Sequence, residues 1–263
     1  MSIKHTLQTF ARRCGYDIRR ISDKTAVGRL RTSIEESYLL LRELGFRPDI
    51  VIDVGVAKGT DDLYRTFPDS FFLLIEPLKE FEADLKRILV RHRGNYVLAA
   101  AASSTGLVTF NVHKNHLEGS SLYKETMGAA ADGCEITVPT VRIDDIMKEK
   151  ELTGSCLIKV DAQGAELNVL DGAQETLRMA EAVALEVSMF QFMKGAPQFF
   201  DVVLYMKNHG FVAYDIIHGW NRPLDNALGQ LDIIFVQENG KFRHNHSYST
   251  AEQMKKLTGS SFG

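Results

Sequence analysis

The chain has 263 residues, 44% hydrophobic and 25% charged, with a net charge of −3, which suits one large α/β domain with a full core and excludes a surface coated in basic residues for nucleic acid. Three scattered cysteines, Cys14, Cys134 and Cys156, form no CxxC pair, which argues against a zinc ribbon or a disulfide framework and points to a reducing, cytoplasmic setting. No apolar run reaches the roughly 18 residues of a membrane span, and the N-terminal basic residues are not followed by the apolar stretch of a secretory signal.

The charge is uneven along the chain. Residues 1–31 hold eight basic residues against Asp17 and Asp23, a net of +6, which leaves −9 for the remainder. Residues 1–32 therefore read as a basic arm, with the capacity for weak contact with an anionic surface. Ser33 with Glu36 three residues on is a capping box, opening a helix that stops at Gly45. From there, strand-length apolar runs ("DIVIDV", "FFLLIE", "YVLAAA", "CLIKVD", "AVALEV") alternate with helical stretches such as "LKEFEADLKRILVRH" and "AELNVLDGAQETLRM". That alternation predicts a doubly wound, mostly parallel sheet with helices on both faces. Two segments depart from it. "GLVTFNVHK" and "EITVPTVRI" lack a helix between them and predict a β-hairpin inserted after the third strand. "GFVAYDII" and "QLDIIFVQE" are joined too tightly for a helical crossover, so the last strand runs antiparallel and completes seven strands. The main domain then spans 33–240, and 241–263 form a tail with Thr250 and Gln253 as a capping box.

The stretch "VIDVGVAKGT" ends the first strand and carries the most chemistry. Its spacing, Asp53-x-Gly55-x-Ala57-x-Gly59, is neither the G-x-G-x-x-G of dinucleotide sites nor a P-loop. Glycines let a backbone approach a ligand closely, and an acidic Asp53 at the strand end suits a ligand with an amino group. About twenty residues on, Glu76 ends the second strand, where a carboxylate can accept both hydroxyls of a ribose. An adenosine bearing an ammonium group satisfies both demands, as S-adenosylmethionine does.

Longer motifs carry a family resemblance. "VIDVGVAKGT", "LLIEP", "AAASSTG", "SSL" at 120–122, "TVRIDDI" and above all "LIKVDAQGAELNVLDGA" resemble the FkbM-type methyltransferases over about residues 50–236. Lys159, Asp161, Gln163, Gly164 and Glu166 all fall in that pattern. Ala57 departs from it, since the family usually carries Asn there. The resemblance implies a Rossmann-like class I fold and S-adenosylmethionine as cofactor, bound by Asp53, Gly55, Ala57, Gly59, Glu76, Pro77, Ala101, Ser103 and Asp161. It also implies O-methyl transfer to a sugar, glycan or small natural-product hydroxyl.

Methyl transfer to a hydroxyl needs a positioned oxygen and a proton acceptor. Candidates lie at C-terminal strand ends: Asp161, which alternatively caps the next helix; Glu186, either a second site carboxylate or a buried acid paired with Lys159; and His218, in the loop expected between the last two strands. His116 is a weaker candidate of the same kind. Trp220 and "MFQFM" at 189–193 either line an acceptor pocket or belong to the core. Asp144 and Asp145 resemble an Mg²⁺-binding pair, but a helix cap is the plainer reading, and no metal is expected. Two other functions stay open on the residues alone: a Rossmann-like oxidoreductase, and a non-catalytic module that keeps the fold.

Overall fold

The computed structural model describes residues 31–128 and 131–258. The basic arm lies outside the described residues except for Arg31 and Thr32, of which Arg31 pairs with Asp215. Ser33 caps helix α1 (Ile34–Glu43) by accepting the Glu36 N–H at 3.4 Å, and Glu36 accepts the Thr32 N–H at 2.8 Å. The reciprocal bond of the capping box thus reaches one residue further back than the sequence pattern requires.

Strand and helix then alternate: β1 (Ile50–Val54), α2 (Asp61–Thr66), β2 (Phe71–Glu76), a short 3₁₀ turn at Lys79–Phe81 leading into α3 (Glu82–Leu89), and β3 (Gly94–Leu98). The chain leaves the main sheet after Leu98. Strands β4 (Ala100–Ala101), β5 (Gly106–Val112) and β6 (Cys134–Val141) form a separate small sheet in the order β4-β6-β5. The inserted hairpin is therefore present as the antiparallel pair β5–β6. "YVLAAA", however, is divided between two sheets, because Ala100 and Ala101 pair with Thr140 and Val141 instead of extending β3. After α4 (Ile143–Glu149) come β7 (Cys156–Val160), α5 (Glu166–Asp171), α6 (Gln174–Met179), β8 (Ala180–Ser188), α7 (Phe199–Asn208), β9 (Phe211–Asn221), β10 (Leu228–Gln237) and α8 (Ala251–Thr258). The helix expected over residues 165–179 is split into α5 and α6 because Asp144 accepts the Glu175 and Thr176 N–H groups and caps the second half.

The main sheet has seven strands in the order β3-β2-β1-β7-β8-β10-β9. Six run in one direction, and β10 alone is antiparallel, to both its neighbours β8 and β9. Alternate residues of each strand bury on opposite faces. Ile50, Ile52 and Val54 of β1 join one core with β7, α5 and α6, while Val51 joins the other with Tyr38, Leu63 and Leu85 of α1, α2 and α3. The chain winds outward from β1 to β3 and returns to β7 on the other side of β1. The tips of β1 and β7 thus mark the switch point where open α/β sheets bind ligands.

Candidate active site

Gly55 begins the turn from β1 into α2 at φ 71°, and a Cβ there would stand 1.8 Å from the Asp161 carbonyl oxygen. The β1 and β7 tips therefore touch backbone to backbone, which only glycine permits. Ala57 is also left-handed, at φ 46°. Its N–H donates to Glu76 Oε2 at 2.9 Å, and the Leu78 N–H donates to Oε1 at 2.9 Å. Glu76 is 4% exposed. Burial lifts its pKa above the usual carboxylate value, with the two N–H donors working the other way.

A cleft of about 270 Å³ opens between this turn, the β2 tip and the small sheet, at the lower end of small-ligand sites. Gly55, Ala57, Gly59 and Glu76 border one side of it, Leu78, Phe81, Phe110 and Leu122 give it apolar surface, and Asp161 and Gln163 also line it. Lys58 and Glu118 stand at its exposed rim, joined Nζ to Oε1 at 2.6 Å. Of the residues expected to bind cofactor, Gly55, Ala57, Gly59, Glu76, Pro77, Ala101 and Asp161 all line the cleft.

Asp53 and Ser103 are not among the lining residues. Asp53 is 0% exposed and shares its sheet face with the neighbouring Lys159, its in-register partner. Lys159 Nζ lies 3.2 Å from Asp53 Oδ1, and Tyr64 Oη donates to Asp53 Oδ2 at 2.5 Å. The same ammonium donates to the Gly55 carbonyl at 3.1 Å. Burial disfavours this cation, but Asp53, Asp161 and Glu186 together outweigh that and hold its pKa above the ordinary lysine value. Asp53 thus braces the glycine turn from beneath, through Lys159. Ser103 is exposed, and its N–H donates to Asn168 Oδ1 at 3.2 Å.

Asp161 follows β7, with its side chain 36% exposed. Gln163 Nε2 donates to Asp161 Oδ1 at 2.8 Å and to Glu186 Oε2 at 3.1 Å. Gln230 Nε2 also donates to Glu186 Oε2, at 2.9 Å. Glu186 is set back from the cleft lining and is held by these two amides; the nearby lysine is committed to Asp53. Burial, then Asp161, Asp232 and Glu166, push Glu186 well above the carboxylate range. Asp232, its in-register neighbour on β10, is raised to about 6 by burial and Asp161. Glu166, which accepts the Ala162 and Gly164 N–H groups, is pushed up to about 7 by burial. The turn after β7 is thus capped by Glu166, not by Asp161.

His218 lies within β9, opposite Leu231 of β10, and not in a loop. The hairpin runs on to Asn221, and Arg222 closes its turn on Asp225 with two bonds of 2.7 and 2.5 Å. Trp220 is 73% exposed and does not line the cleft. The 189–197 segment is closer to the chemistry, since Met193 and Ala196 pack against Gly164 in the turn after Asp161. Asp144 caps α6 and Asp145 pairs with Arg142, so that pair has the structural role. Exposed His116 sits 3.7 Å from Glu118, and His244 faces the Lys241 carbonyl. Among the described residues no cluster of His, Cys, Asp and Glu has a metal-binding arrangement. Sequence reasoning missed Tyr64, Gln230, Asp232 and the Lys58–Glu118 pair. Asp232 alone left a signal, as a charge inside the apolar run "LDIIFV".

The sequence profile of the methyltransferase FkbM domain matches residues 53–213, more than half of the chain. No curated protein matches it significantly. Several solved structures resemble it. A magnesium protoporphyrin IX methyltransferase from Synechocystis, with bound S-adenosylmethionine, has 9% identity, a TM-score of 0.42 and coverage of 90% of this chain and 98% of its own. An rRNA methylase from Streptococcus thermophilus has 10% identity, a TM-score of 0.43 and coverage of 80% and 99%. Fibrillarin from Aeropyrum pernix, with natively bound S-adenosylmethionine, has 13% identity, a TM-score of 0.41 and coverage of 76% and 73%. With TM-scores this low, the assignment rests on the domain match, which removes the oxidoreductase alternative. The chain belongs to the FkbM family of methyltransferases, with S-adenosylmethionine as its methyl donor.

Proposed function

We propose that this methyltransferase acts on a hydroxyl oxygen of a sugar, glycan or small natural-product acceptor, in a cytoplasmic setting. The observation that carries the reading is Asp161, a partly exposed carboxylate on the wall of the donor cleft. One of its oxygens is occupied by Gln163, while the nearest cation to the other, Lys159, is 3.9 Å away. Such a group can take a proton from a hydroxyl held against it.

The cleft fits the donor on three counts. Gly55 presents bare backbone to the cleft, which a ligand can approach closely. Glu76 offers a carboxylate on the lining at the tip of β2, where ribose hydroxyls are recognised. Leu78, Phe81, Phe110 and Leu122 supply apolar surface for a planar base. When bound, S-adenosylmethionine supplies an electrophilic methyl on its sulfonium. The chain's own residues orient the acceptor oxygen, and Asp161 accepts the hydroxyl proton at Oδ2. Among the described residues no helix is long and apolar enough to cross a membrane. The basic arm adds a weak contact with an anionic surface, and no nucleic-acid partner is proposed.

The test is methyl incorporation from labelled S-adenosylmethionine into a panel of sugars, glycan precursors and small polyols. Once an acceptor is found, Asp161→Asn should lower turnover at saturating donor by about 10²–10⁴, the scale of a lost general base. His218→Ala is the comparison variant. Near-normal turnover in a folded Asp161→Asn protein would reject the role, and incorporation confined to nitrogen or carbon would reject O-methylation.

A further inference from the structure

Gln163 is an odd residue at an odd place. It has φ 48°, a left-handed backbone that a non-glycine residue adopts only when its surroundings hold it there. Two contacts hold it. Ser121 Oγ, from the segment leading out of the cleft wall, donates to the Gln163 carbonyl at 2.7 Å. At its other end the side-chain amide bridges two carboxyl groups, Asp161 Oδ1 at 2.8 Å and Glu186 Oε2 at 3.1 Å. An amide nitrogen carries two hydrogens, so one nitrogen serves both partners, and two carboxyl acceptors fix which way the amide faces. Gln230 completes the row by donating to the same Glu186 oxygen.

From this geometry we infer that Gln163 is a positioning residue for methyl transfer, aiming Asp161 at the cleft by clamping its Oδ1 to the Glu186–Gln230 pair behind it. This rests on the reading of Asp161 as proton acceptor but concerns a different residue. Around Asp161 stand Glu186 on β8, Asp232 on β10 and Glu166 on α5, whose burial favours their neutral forms, and Lys159 on β7 at 3.9 Å. A donated N–H favours the ionised form of its acceptor. Gln163 therefore orients Asp161 by holding its Oδ1 against the Glu186 side chain. The left-handed backbone matters because it turns the side chain back toward Asp161, two residues earlier.

The experiment needs no acceptor. Carboxyl-labelled aspartate in the full chain is followed by NMR across pH, with and without S-adenosylhomocysteine, and Asp161→Asn identifies the Asp161 signal. Gln163→Met keeps the length of the side chain and removes its donor, and it should raise the Asp161 midpoint by about one pH unit, the scale of a lost hydrogen bond to a charged group. Gln163→Glu, which replaces the donor by a further carboxyl group, should raise it at least as much. Gln230→Met loosens only Glu186 and should move it far less. The inference is overturned if both Gln163 variants leave the midpoint within about 0.3 unit of the parent, or if Gln230→Met moves it as much. Failure of the proton-acceptor reading would show separately, as normal turnover in Asp161→Asn.

Discussion

Replacing Gly55 by alanine tests the claim that the donor turn and the Asp161 turn form one unit. Two costs are expected, and the structure separates them. The first is conformational: at φ 71° an alanine pays about 1–2 kcal/mol for the left-handed backbone. The second is steric. The added Cβ would begin 1.8 Å from the Asp161 carbonyl oxygen, where at least 3.0 Å is required, so the β1 and β7 tips must part by about 1.2 Å. Forced shifts in a packed region cost about 1–3 kcal/mol, giving a total near 2–5 kcal/mol. Gly45 supplies the control, since it has φ 89° and a Cβ added there would meet no heavy atom within 4 Å. Gly45→Ala should therefore lose only the conformational part. Urea unfolding gives both stabilities, and calorimetric titration gives the affinity for S-adenosylhomocysteine, which Gly55→Ala should weaken and Gly45→Ala should leave intact. Equal losses of stability, with donor affinity unchanged in both, would refute the steric argument and the coupling of the two turns.

Three further outcomes follow from the buried charges. Lys159→Met leaves Asp53, at 0% exposure, without its cation. It should cost about 3–5 kcal/mol, and the double variant Asp53→Asn/Lys159→Met should recover part of that in the same urea assay. Glu76→Gln sets an amide against two N–H donors that now have a carboxylate, and should weaken S-adenosylhomocysteine binding by about 1–3 kcal/mol in a folded protein. Glu166 is raised to about 7 and Asp232 to about 6, so the unfolded chain gives up these protons first as pH rises. The native state then holds more protons between about pH 4 and pH 7, and stability falls through that window. Glu166→Gln should remove a share of this slope on the order of 3 kcal/mol, seen by comparing unfolding at about pH 5 and about pH 7.5; an unchanged slope would count against a buried, protonated Glu166.

The fold was legible because its signals are local and repeated. Runs such as "FFLLIE" and "CLIKVD" are apolar throughout, which only strands covered on both faces require, and the short link after β9 allowed no crossover. That Gly55, Gly59 and Glu76 line one cleft was legible for a related reason, since Gly55 follows the β1 end, Glu76 ends β2, and Gly59 lies in the turn between β1 and its helix. What could not be read is whatever depends on side-chain direction. The sequence places Asp53 against a ligand, but in the fold it is buried against Tyr64 and Lys159 and does not itself line the cleft. Where β9 stops is set by pairing with β10 and by the Arg222–Asp225 contact, neither visible in "IIHGWNRP", so the sequence alone places His218 in a loop. The Glu186–Gln163–Gln230 row joins three separate strands and turns, and no spacing within one segment encodes it.

Ala57 is explained by the same principle that singles out Gln163. Where the family usually has Asn, this chain has an alanine at φ 46°, a region that asparagine enters more readily than other non-glycine residues. A side-chain contact could have justified that preference, but here the Ala57 N–H makes the contact instead, to Glu76 at 2.9 Å. The backbone conformation is thus retained while the side chain that favours it is gone. Of the four non-glycine residues at positive φ among those described, Ala57 and Gln163 both line the cleft, while Glu151 and Asn226 do not. Strain of about 1–3 kcal/mol per such residue persists only where the surroundings over-determine it. At Ala57 the surroundings are Glu76, and at Gln163 they are Ser121, Asp161 and Glu186. Each strained turn is therefore anchored to a carboxylate on the cleft lining, Glu76 on the donor side and Asp161 on the proposed acceptor side, and a variant that frees either turn should be read first in the position of that carboxylate.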